Sequence, residues 1–272
     1  MSEATSKIQV DCHFHVFEAG QAIGGARYTP SYASLLSDWQ ARATSLGITH
    51  GVLVQPSFLG VDNRLLLANL LADPHRLRGV AVVSPSIRPE ELRALHTMGI
   101  RGLRLNLSGV SHDLSDWQGR ASLWDCMLEM GWHIEIHTDR GALPGVIASL
   151  PSSLHLVIDH MAKPDHADLD DPTIKLLERL TAKRVTIKLS GAYRLHGVDA
   201  GSLVSTFYQV LGPSALIWGS DWPCTNFERY ANYADFLSAL EAWLPENCLD
   251  EILSTNPMRL YWQLDRSVAG WR

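Results

Sequence analysis

The stretch Ile8-Gln-Val-Asp-Cys-His-Phe-His15 begins as an apolar strand and ends on two histidines. A dinucleotide-binding Rossmann fold carries a Gly-x-Gly-x-x-Gly turn directly after its first strand, and this chain has no such turn there. The first strand therefore argues against a doubly wound sheet that binds a dinucleotide. It instead places side chains capable of chemistry at the end of a buried strand.

Eight short apolar runs alternate with eight segments of helical periodicity along the rest of the chain. Several runs are apolar at nearly every position, as in Leu154-His-Leu-Val-Ile158, which is typical of strands covered on both faces. The predicted strands are 8–14, 51–55, 79–84, 102–107, 132–137, 155–159, 185–189 and 215–219, and the predicted helices are 31–46, 62–71, 89–98, 121–130, 141–150, 172–181, 201–211 and 230–244. This unbroken alternation predicts an α/β fold, a (β/α)8 TIM barrel forming a single domain over residues 1–272.

Composition narrows the class of protein. The chain has 272 residues, a formal net charge of -6 and a mean hydropathy of -0.02, values ordinary for one globular barrel. The mild acidity argues against nucleic-acid binding, and no apolar run is long enough to span a membrane. Four cysteines without a CxxC pair and a polar amino-terminal segment lead us to expect a reducing, cytoplasmic location.

Polar residues repeatedly follow the predicted strands at their carboxyl ends. In a barrel these ends meet at one rim, where the active sites of such enzymes lie. We also expect the long, glycine-containing loop 16–30 to lie over this rim. The residues at the strand ends are His13 and His15, Gln55 and Ser57, Arg104 and Asn106, His137, Asp159 and His160, Lys188 and Ser190 with the nearby Tyr193 and Arg194, and Asp221.

His13 and His15 are two residues apart on a strand, so both side chains are expected to face the barrel interior. Buried imidazoles are costly unless they are hydrogen-bonded or bind something. Alone, the pair would fit hydrogen-bonded core histidines as well as ligands. Together with His137, His160 and Asp221 at other strand ends, it predicts a site for one divalent metal such as zinc or manganese.

Arg104 lies in the alternating run Gly102-Leu-Arg-Leu-Asn-Leu107, which points its side chain inward. A buried guanidinium requires an anionic partner, and a substrate carboxylate would supply one. Lys188 and Arg194 add positive charge near the same rim. These side chains predict a small substrate that carries a carboxylate.

Five segments together resemble the amidohydrolase superfamily, in its amidohydrolase-2 branch, and within it the 2-pyrone-4,6-dicarboxylate, muconolactone and sugar-acid lactonases. The resemblance covers about residues 10–262 and implies a (β/α)8 barrel that hydrolyses a lactone bearing carboxylates. The segments are Asp11-Cys-His-Phe-His-Val-Phe17, Val157-Ile-Asp-His-Met-Ala-Lys-Pro164, Lys188-Leu-Ser-Gly191, Ile217-Trp-Gly-Ser-Asp-Trp-Pro223 and Thr255-Asn-Pro-Met-Arg-Leu-Tyr-Trp262.

The resemblance also implies roles for individual residues. It assigns Asp221 as the general base and places His13, His15 and His160 at the reaction centre. The groups that it implies for holding the substrate carboxylates and the lactone carbonyl are Tyr28, Ser57, Arg104 and Arg194. Lys188 is expected to support either charge.

Two positions depart from the pyrone lactonases. Strand five ends there in a tyrosine, and those enzymes resemble metal-free hydrolases, whereas this chain has His137. This change restores a full predicted metal set of His13, His15, His137 and Asp221, with His160 left to orient water or polarise the carbonyl. The position of a second carboxylate-binding arginine falls on Val110, which argues against the pyrone dicarboxylate itself as substrate.

The sequence thus predicts a hydrolase that opens a carboxylate-bearing lactone by water attack, with Asp221 as general base. A metal-free version of this reaction uses the same residues. The alternatives are a metal-dependent decarboxylase of an aromatic acid on the same scaffold and a barrel whose site has decayed into a binding module. The intact set of polar strand ends argues against decay, because a decayed site would not need to keep charges that are costly to bury.

Overall fold

A computed structural model describes residues 7–180, 184–230 and 232–263. Eight parallel strands follow one another around a single sheet in chain order, which confirms the predicted (β/α)8 barrel. The strands are β1 Val10–Phe14, β2 His50–Val54, β3 Leu77–Ala81, β4 Ile100–Asn106, β5 His133–His137, β6 His155–Ile158, β7 Val185–Leu189 and β8 Leu216–Trp218. The helices are α1 Leu36–Ser45, α2 Arg64–Ala72, α3 Pro89–Thr97, α4 Ala121–Glu129, α5 Leu143–Ala148, α6 Pro172–Leu180, α7 Ala200–Leu211, α8 Tyr233–Trp243, α9 Glu246–Asp250 and α10 Asn256–Tyr261.

The segment that follows β8 joins the sheet to β1. The Asp221 backbone N–H donates to the His13 carbonyl at 2.8 Å, and the His15 N–H donates to the Trp222 carbonyl at 2.8 Å. A Cβ atom on Gly219 would lie 2.6 Å from the His13 Cβ, so only glycine permits this approach. The near-closure of the barrel therefore places Asp221 beside both histidines of β1.

The barrel interior and its outer shell have different apolar cores. The interior is filled mostly by small branched side chains, as is usual for barrels of eight strands. Tyr261 of α10 packs beneath them. The interior cluster consists of Val10, Cys12, Val52, Val54, Val80, Val157, Ile217, Met258 and Tyr261, and the larger outer cluster lies between strands and helices.

The outer core shows how one glycine sets local packing. Phe14 stacks on Trp39 of α1 with ring centroids 4.0 Å apart. A Cβ on Gly51 would lie 2.6 Å from both rings, so the missing side chain in β2 leaves the space that they fill. The pair anchors α1 to the sheet by burying two large aromatic surfaces.

The predicted elements agree with the observed ones except near their ends. Helix α1 begins at Leu36 rather than at residue 31, because Ser34 is extended and pairs with Phe17 in an isolated antiparallel bridge. Helix α8 begins at Tyr233 after a short 3-10 turn, Glu228–Tyr230. Thr181 and Ala231 of the predicted helices, and the outermost parts of the predicted domain 1–272, lie outside the described residues. No helix within the described ranges is long and apolar enough to cross a membrane.

Candidate active site

A bulge in β1 aims His13 and His15 at the same point. The pairing register of β1 with β2 shifts between Asp11 and Phe14, so one extra residue stands opposite its partner strand. Cys12 packs in the interior cluster, and the two imidazoles beyond it meet with their Nε2 atoms 3.3 Å apart. The two-residue spacing predicts this convergence, but the bulge that permits it is visible only in the structure.

The two oxygens of the Asp221 carboxylate have different surroundings. Oδ2 accepts hydrogen bonds from the Tyr193 hydroxyl at 2.6 Å and from Arg194 Nε at 2.9 Å. Oδ1 is buried and has no hydrogen-bond partner among the described residues. Burial by itself would raise the pKa of the Asp221 carboxyl, but the Arg194 guanidinium and the surrounding imidazoles together outweigh burial and hold that pKa well below its usual range. Asp221 is therefore an ionised carboxylate with one oxygen fixed and the other available.

The available oxygen of Asp221 faces three imidazoles. Its Oδ1 lies 3.6 Å from His13 Nε2, 3.4 Å from His15 Nε2 and 4.0 Å from His160 Nε2. His15 Nδ1 donates to the Val54 carbonyl at 2.7 Å, which leaves Nε2 directed at His13 and Asp221. Burial is the main cause that lowers the pKa of His13 to about 3, so its imidazole is neutral. Neutral imidazoles and a carboxylate are the groups that a divalent metal requires.

The donor geometry tests whether a metal fits. His13 Nε2, His15 Nε2 and Asp221 Oδ1 form a triangle with edges of 3.3, 3.4 and 3.6 Å. Ligands about 2.0–2.1 Å from a tetrahedral zinc ion lie about 3.4 Å from one another. The three residues therefore fit one such ion, and they also form one of the candidate ligand groups of the described residues. His137, the fourth residue of the predicted set, is not in this group.

A ring of four charged side chains lies beneath His13. Lys188 Nζ lies 2.5 Å from Glu135 and 3.3 Å from Asp159, and Arg104 lies 3.0 Å from Asp159 and 3.5 Å from Glu135. All four side chains are at most 2% exposed, and the charges alternate around the ring. His13 Nδ1 contacts Lys188 Nζ and an Asp159 oxygen, each at 3.2 Å. We define these four residues as the charged ring.

The charged ring changes what the sequence suggested for two residues. Arg104 does have the anionic partner that its burial demands, but Asp159 and Glu135 supply it within the protein. Lys188 is fully buried in the ring and does not line the cavity described below. Sequence reasoning missed Glu135, although the alternation His133-Ile-Glu-Ile-His137 gives it the same inward direction as His137.

His160 is presented by an unusual turn. Residues 160–163 all have positive φ, at 51°, 54°, 59° and 44°, a conformation that L-residues with side chains adopt at a cost. His160 Nδ1 contacts the Ser190 hydroxyl at 3.0 Å, and Lys163 Nζ contacts His137 Nε2 at 3.1 Å. Four consecutive strained residues thus aim one imidazole and one ammonium at the rim, and such strain is concentrated at functional sites.

These groups surround a cavity of about 190 Å3 at the carboxyl ends of the strands. The volume suits a small molecule, since pockets for drug-sized ligands begin at about 300 Å3. The predicted site residues that line it are His15, Tyr28, Ser57, Arg104, His137, His160, Arg194 and Asp221. The lining residues that sequence reasoning assigned no role are Arg27, Pro56, Phe58, Asn106, Ser108, Thr225 and Asn226.

The loop 16–30 reaches the cavity, as expected, through Arg27 and Tyr28. The Tyr28 hydroxyl donates to Glu228 at 2.7 Å, and Tyr32 donates to the same oxygen at 2.9 Å. The loop after β1 is therefore tied to the loop after β8 across the mouth. Neither spacing nor periodicity would reveal Arg27, because a loop residue follows no period.

The fold and the site together define the class of protein. The amidohydrolase family model matches residues 10–262, and the chain belongs to this family. It is accordingly an enzyme of the hydrolase type.

Several relatives of similar length are described as hydrolases of lactones. A 2-pyrone-4,6-dicarboxylate hydrolase of Comamonas testosteroni is 30% identical, over 93% of this chain and 90% of the relative. A 4-sulfomuconolactone hydrolase of Rhizobium radiobacter is 31% identical, over 96% and 92%. A solved structure of a probable 2-pyrone-4,6-dicarboxylic acid hydrolase from Acinetobacter baumannii, with citric acid bound, is 32% identical with a TM-score of 0.82, covering 93% of this chain and 99% of that one.

The decarboxylase alternative finds weaker support. A solved 5-carboxyvanillate decarboxylase of Sphingomonas paucimobilis is 15% identical, with a TM-score of 0.64 over 94% of this chain and 99% of that one. At this identity the likeness shows a shared fold alone. The comparisons therefore favour lactone hydrolysis over decarboxylation.

Proposed function

We propose that this chain hydrolyses a small lactone that carries at least one carboxylate. The observation that carries the proposal is the buried Asp221 Oδ1, which has no hydrogen-bond partner among the described residues and faces the imidazoles of His13, His15 and His160. Relatives that are hydrolases of pyrone and muconolactone substrates support it. A cavity lined by Arg27 and Arg194 supports an anionic substrate.

In the proposed reaction, water attacks the lactone carbonyl carbon and its proton passes to Asp221 Oδ1. The hydrogen bonds from Tyr193 and Arg194 to Oδ2 fix the carboxylate, so the other oxygen keeps its direction. The tetrahedral adduct then expels the ring oxygen, and the proton held by Asp221 passes to it. One water is added, and a ring-opened acid results.

His160 is the group that we assign to water or carbonyl orientation. Burial is the main cause that lowers the pKa of His160 well below its ordinary value, so the ring is neutral. A neutral ring donates from one nitrogen only, and its Nδ1 is engaged with Ser190. Its Nε2, near Asp221, then meets the attacking water or the carbonyl oxygen.

His13, His15 and Asp221 would hold a divalent ion, with zinc or manganese suited to these ligands. With an ion bound, Asp221 Oδ1 would serve as a ligand, so the proton transfer described above is that of the metal-free site. Such an ion, when bound, lowers the pKa of water and polarises a carbonyl. We assign His137 to the substrate side instead, because its Nε2 contacts Lys163.

Arg194, Ser57 and Tyr28 are the groups that we propose to hold the substrate. All three line the cavity. Arg104 lines it as well, but its charge is balanced by the charged ring, so it forms the wall behind the substrate. Lys188 supports His13 from within the ring. We further propose a cytoplasmic location, which the four free cysteines support.

The test is proton release from a panel of carboxylated lactones by the purified enzyme and by Asp221→Asn. The asparagine keeps the size but not the basicity, so kcat should fall about 100- to 10,000-fold. Asp170→Asn, a change at an exposed carboxylate, should leave turnover unchanged. Circular dichroism should show both variants folded. Near-normal turnover by the folded Asp221→Asn variant would remove Asp221 as the base, and an inactive wild type on the whole panel would reject the lactonase proposal.

A further inference from the structure

Two cations on the β4–β5 side of the cavity form no ion pair with another described residue, although the Asp139 carboxylate acts on Lys163 at longer range. Arg27 and Lys163 take part in none of the ion pairs found among the described residues, and Lys163 is only 5% exposed. By contrast, Arg194 pairs with Asp221, and Arg104 is neutralised within the charged ring. A buried cation such as Lys163 is costly without an anion close by, and the exposed Arg27 lines the same cavity, so a ligand anion is the natural partner of both.

The two cations converge on one turn. Lys163 Nζ donates to the Ser108 hydroxyl at 3.3 Å. Arg27 Nη1 occupies the space beside Gly109, 2.8 Å from where a Cβ would stand. Ser108 and the Gly109 backbone both donate to one oxygen of Asp139, at 3.0 and 2.8 Å, which fixes the turn. The turn therefore positions both charges at the cavity wall.

His137 adds a directed donor at the same wall. Its Nε2 faces the Lys163 ammonium, which can only donate, so Nε2 accepts and Nδ1 carries the proton. That Nδ1 is buried and has no hydrogen-bond partner in the described parts of the chain. The side chain is 7% exposed and lines the cavity. A buried N–H without an acceptor points to a ligand oxygen, because leaving it unmet is costly.

We propose that Arg27 and His137 form an anion subsite, backed by Lys163, that selects lactones with an acidic substituent on the β4–β5 side of the cavity. The proposal rests on the proposed function and adds to it the residues that determine specificity. Arg27 touches the anion, whereas Lys163 acts as a positioning residue that sets the His137 tautomer. The proposed subsite lies apart from Arg194, whose positive charge is already balanced by Asp221.

The test uses three lactones as probes of carboxylate recognition rather than as the assumed natural substrate: 2-pyrone-4,6-dicarboxylate and the two 2-pyrones that carry only one of its carboxylates. Arg27→Gln should raise KM for the dicarboxylate about tenfold with little change in kcat, since a charge-assisted contact at an exposed side chain is lost. For the monocarboxylate that lacks the group read by Arg27, kcat/KM should change less than threefold. Arg120→Gln, which removes an exposed arginine outside the cavity, is the matched control.

A second variant moves the guanidinium without removing its charge. Gly109→Ala places a Cβ 2.8 Å from Arg27 Nη1, at a position whose φ is 73°, so the guanidinium must move and the variant should show the same selective loss as Arg27→Gln. Equal losses on all three lactones, or none, in the folded variants would overturn the subsite.

Equilibrium binding separates failure of the subsite from failure of the lactonase proposal. Calorimetric titration of the dicarboxylate and both monocarboxylates into wild type and Arg27→Gln measures recognition without turnover. A tenfold loss confined to ligands bearing the recognised carboxylate supports the subsite even if no lactone is hydrolysed. Uniform affinities across ligands and variants would reject it even if hydrolysis is observed.

Discussion

The charged ring makes a quantitative prediction for stability. Lys188 Nζ and a Glu135 oxygen are 2.5 Å apart, and both side chains are 0% exposed. Removing one member of such a buried pair leaves the other charge without its main partner and out of reach of water. We therefore expect Lys188→Met and Glu135→Gln each to lower the free energy of unfolding by about 3–5 kcal/mol.

The double variant distinguishes charge balance from packing. With both groups neutral, Arg104 and Asp159 still pair at 3.0 Å, so no charge is left isolated. Lys188→Met/Glu135→Gln should therefore lose less than the two single variants combined, by about 2–3 kcal/mol. If the ring contributed only by its packing, the losses would add.

Urea unfolding followed by tryptophan fluorescence measures these differences, and equal slopes would show that the variants unfold between comparable states. The matched control is the surface pair Arg93–Glu129, with side chains 54% and 65% exposed. Its alanine cycle should give a coupling energy below about 0.5 kcal/mol. Additive losses in the buried cycle, or single-variant losses as small as those at the surface, would refute the description of the ring.

Two further changes test the site. Gly191 has a φ of 59°, and a Cβ there would lie 2.8 Å from His160 Nδ1. Gly191→Ala should therefore lower kcat at least tenfold in a protein that still folds. Turnover equal to wild type would show that the orientation of His160 is unimportant. His15→Ala should weaken zinc binding by metal-stripped enzyme about 100-fold or more in calorimetric titration, because one of three ligands is lost. His75→Ala, an exposed histidine, should not change zinc affinity, and equal affinities for all three proteins would reject the proposed ligand set.

Much of the fold could be predicted from local sequence. Strand and helix periodicities depend on neighbours only a few residues apart, so the alternation of eight units, together with the missing glycine fingerprint after the first strand, predicted the barrel. The barrel in turn fixes which ends of the strands meet, and that brings His15, His137, His160 and Asp221 to one cavity. The helix boundary near residue 31 was wrong because a non-local bridge, Phe17 to Ser34, holds the segment extended.

Tertiary structure decided which polar residues neutralise one another and which remain available to a substrate. The sequence places Arg104 and Lys188 near the site but does not show that Glu135 and Asp159 neutralise them, because those partners lie on other strands. It likewise does not show that the Lys163 ammonium contacts Nε2 of His137. The physical reason is that burial, charge pairing and tautomer depend on atoms brought together by packing, whereas spacing along the chain records only direction. The sequence thus determines which residue types lie at the carboxyl ends of the strands. Their roles depend on which of these side chains the fold leaves without a hydrogen-bond or ion-pair partner.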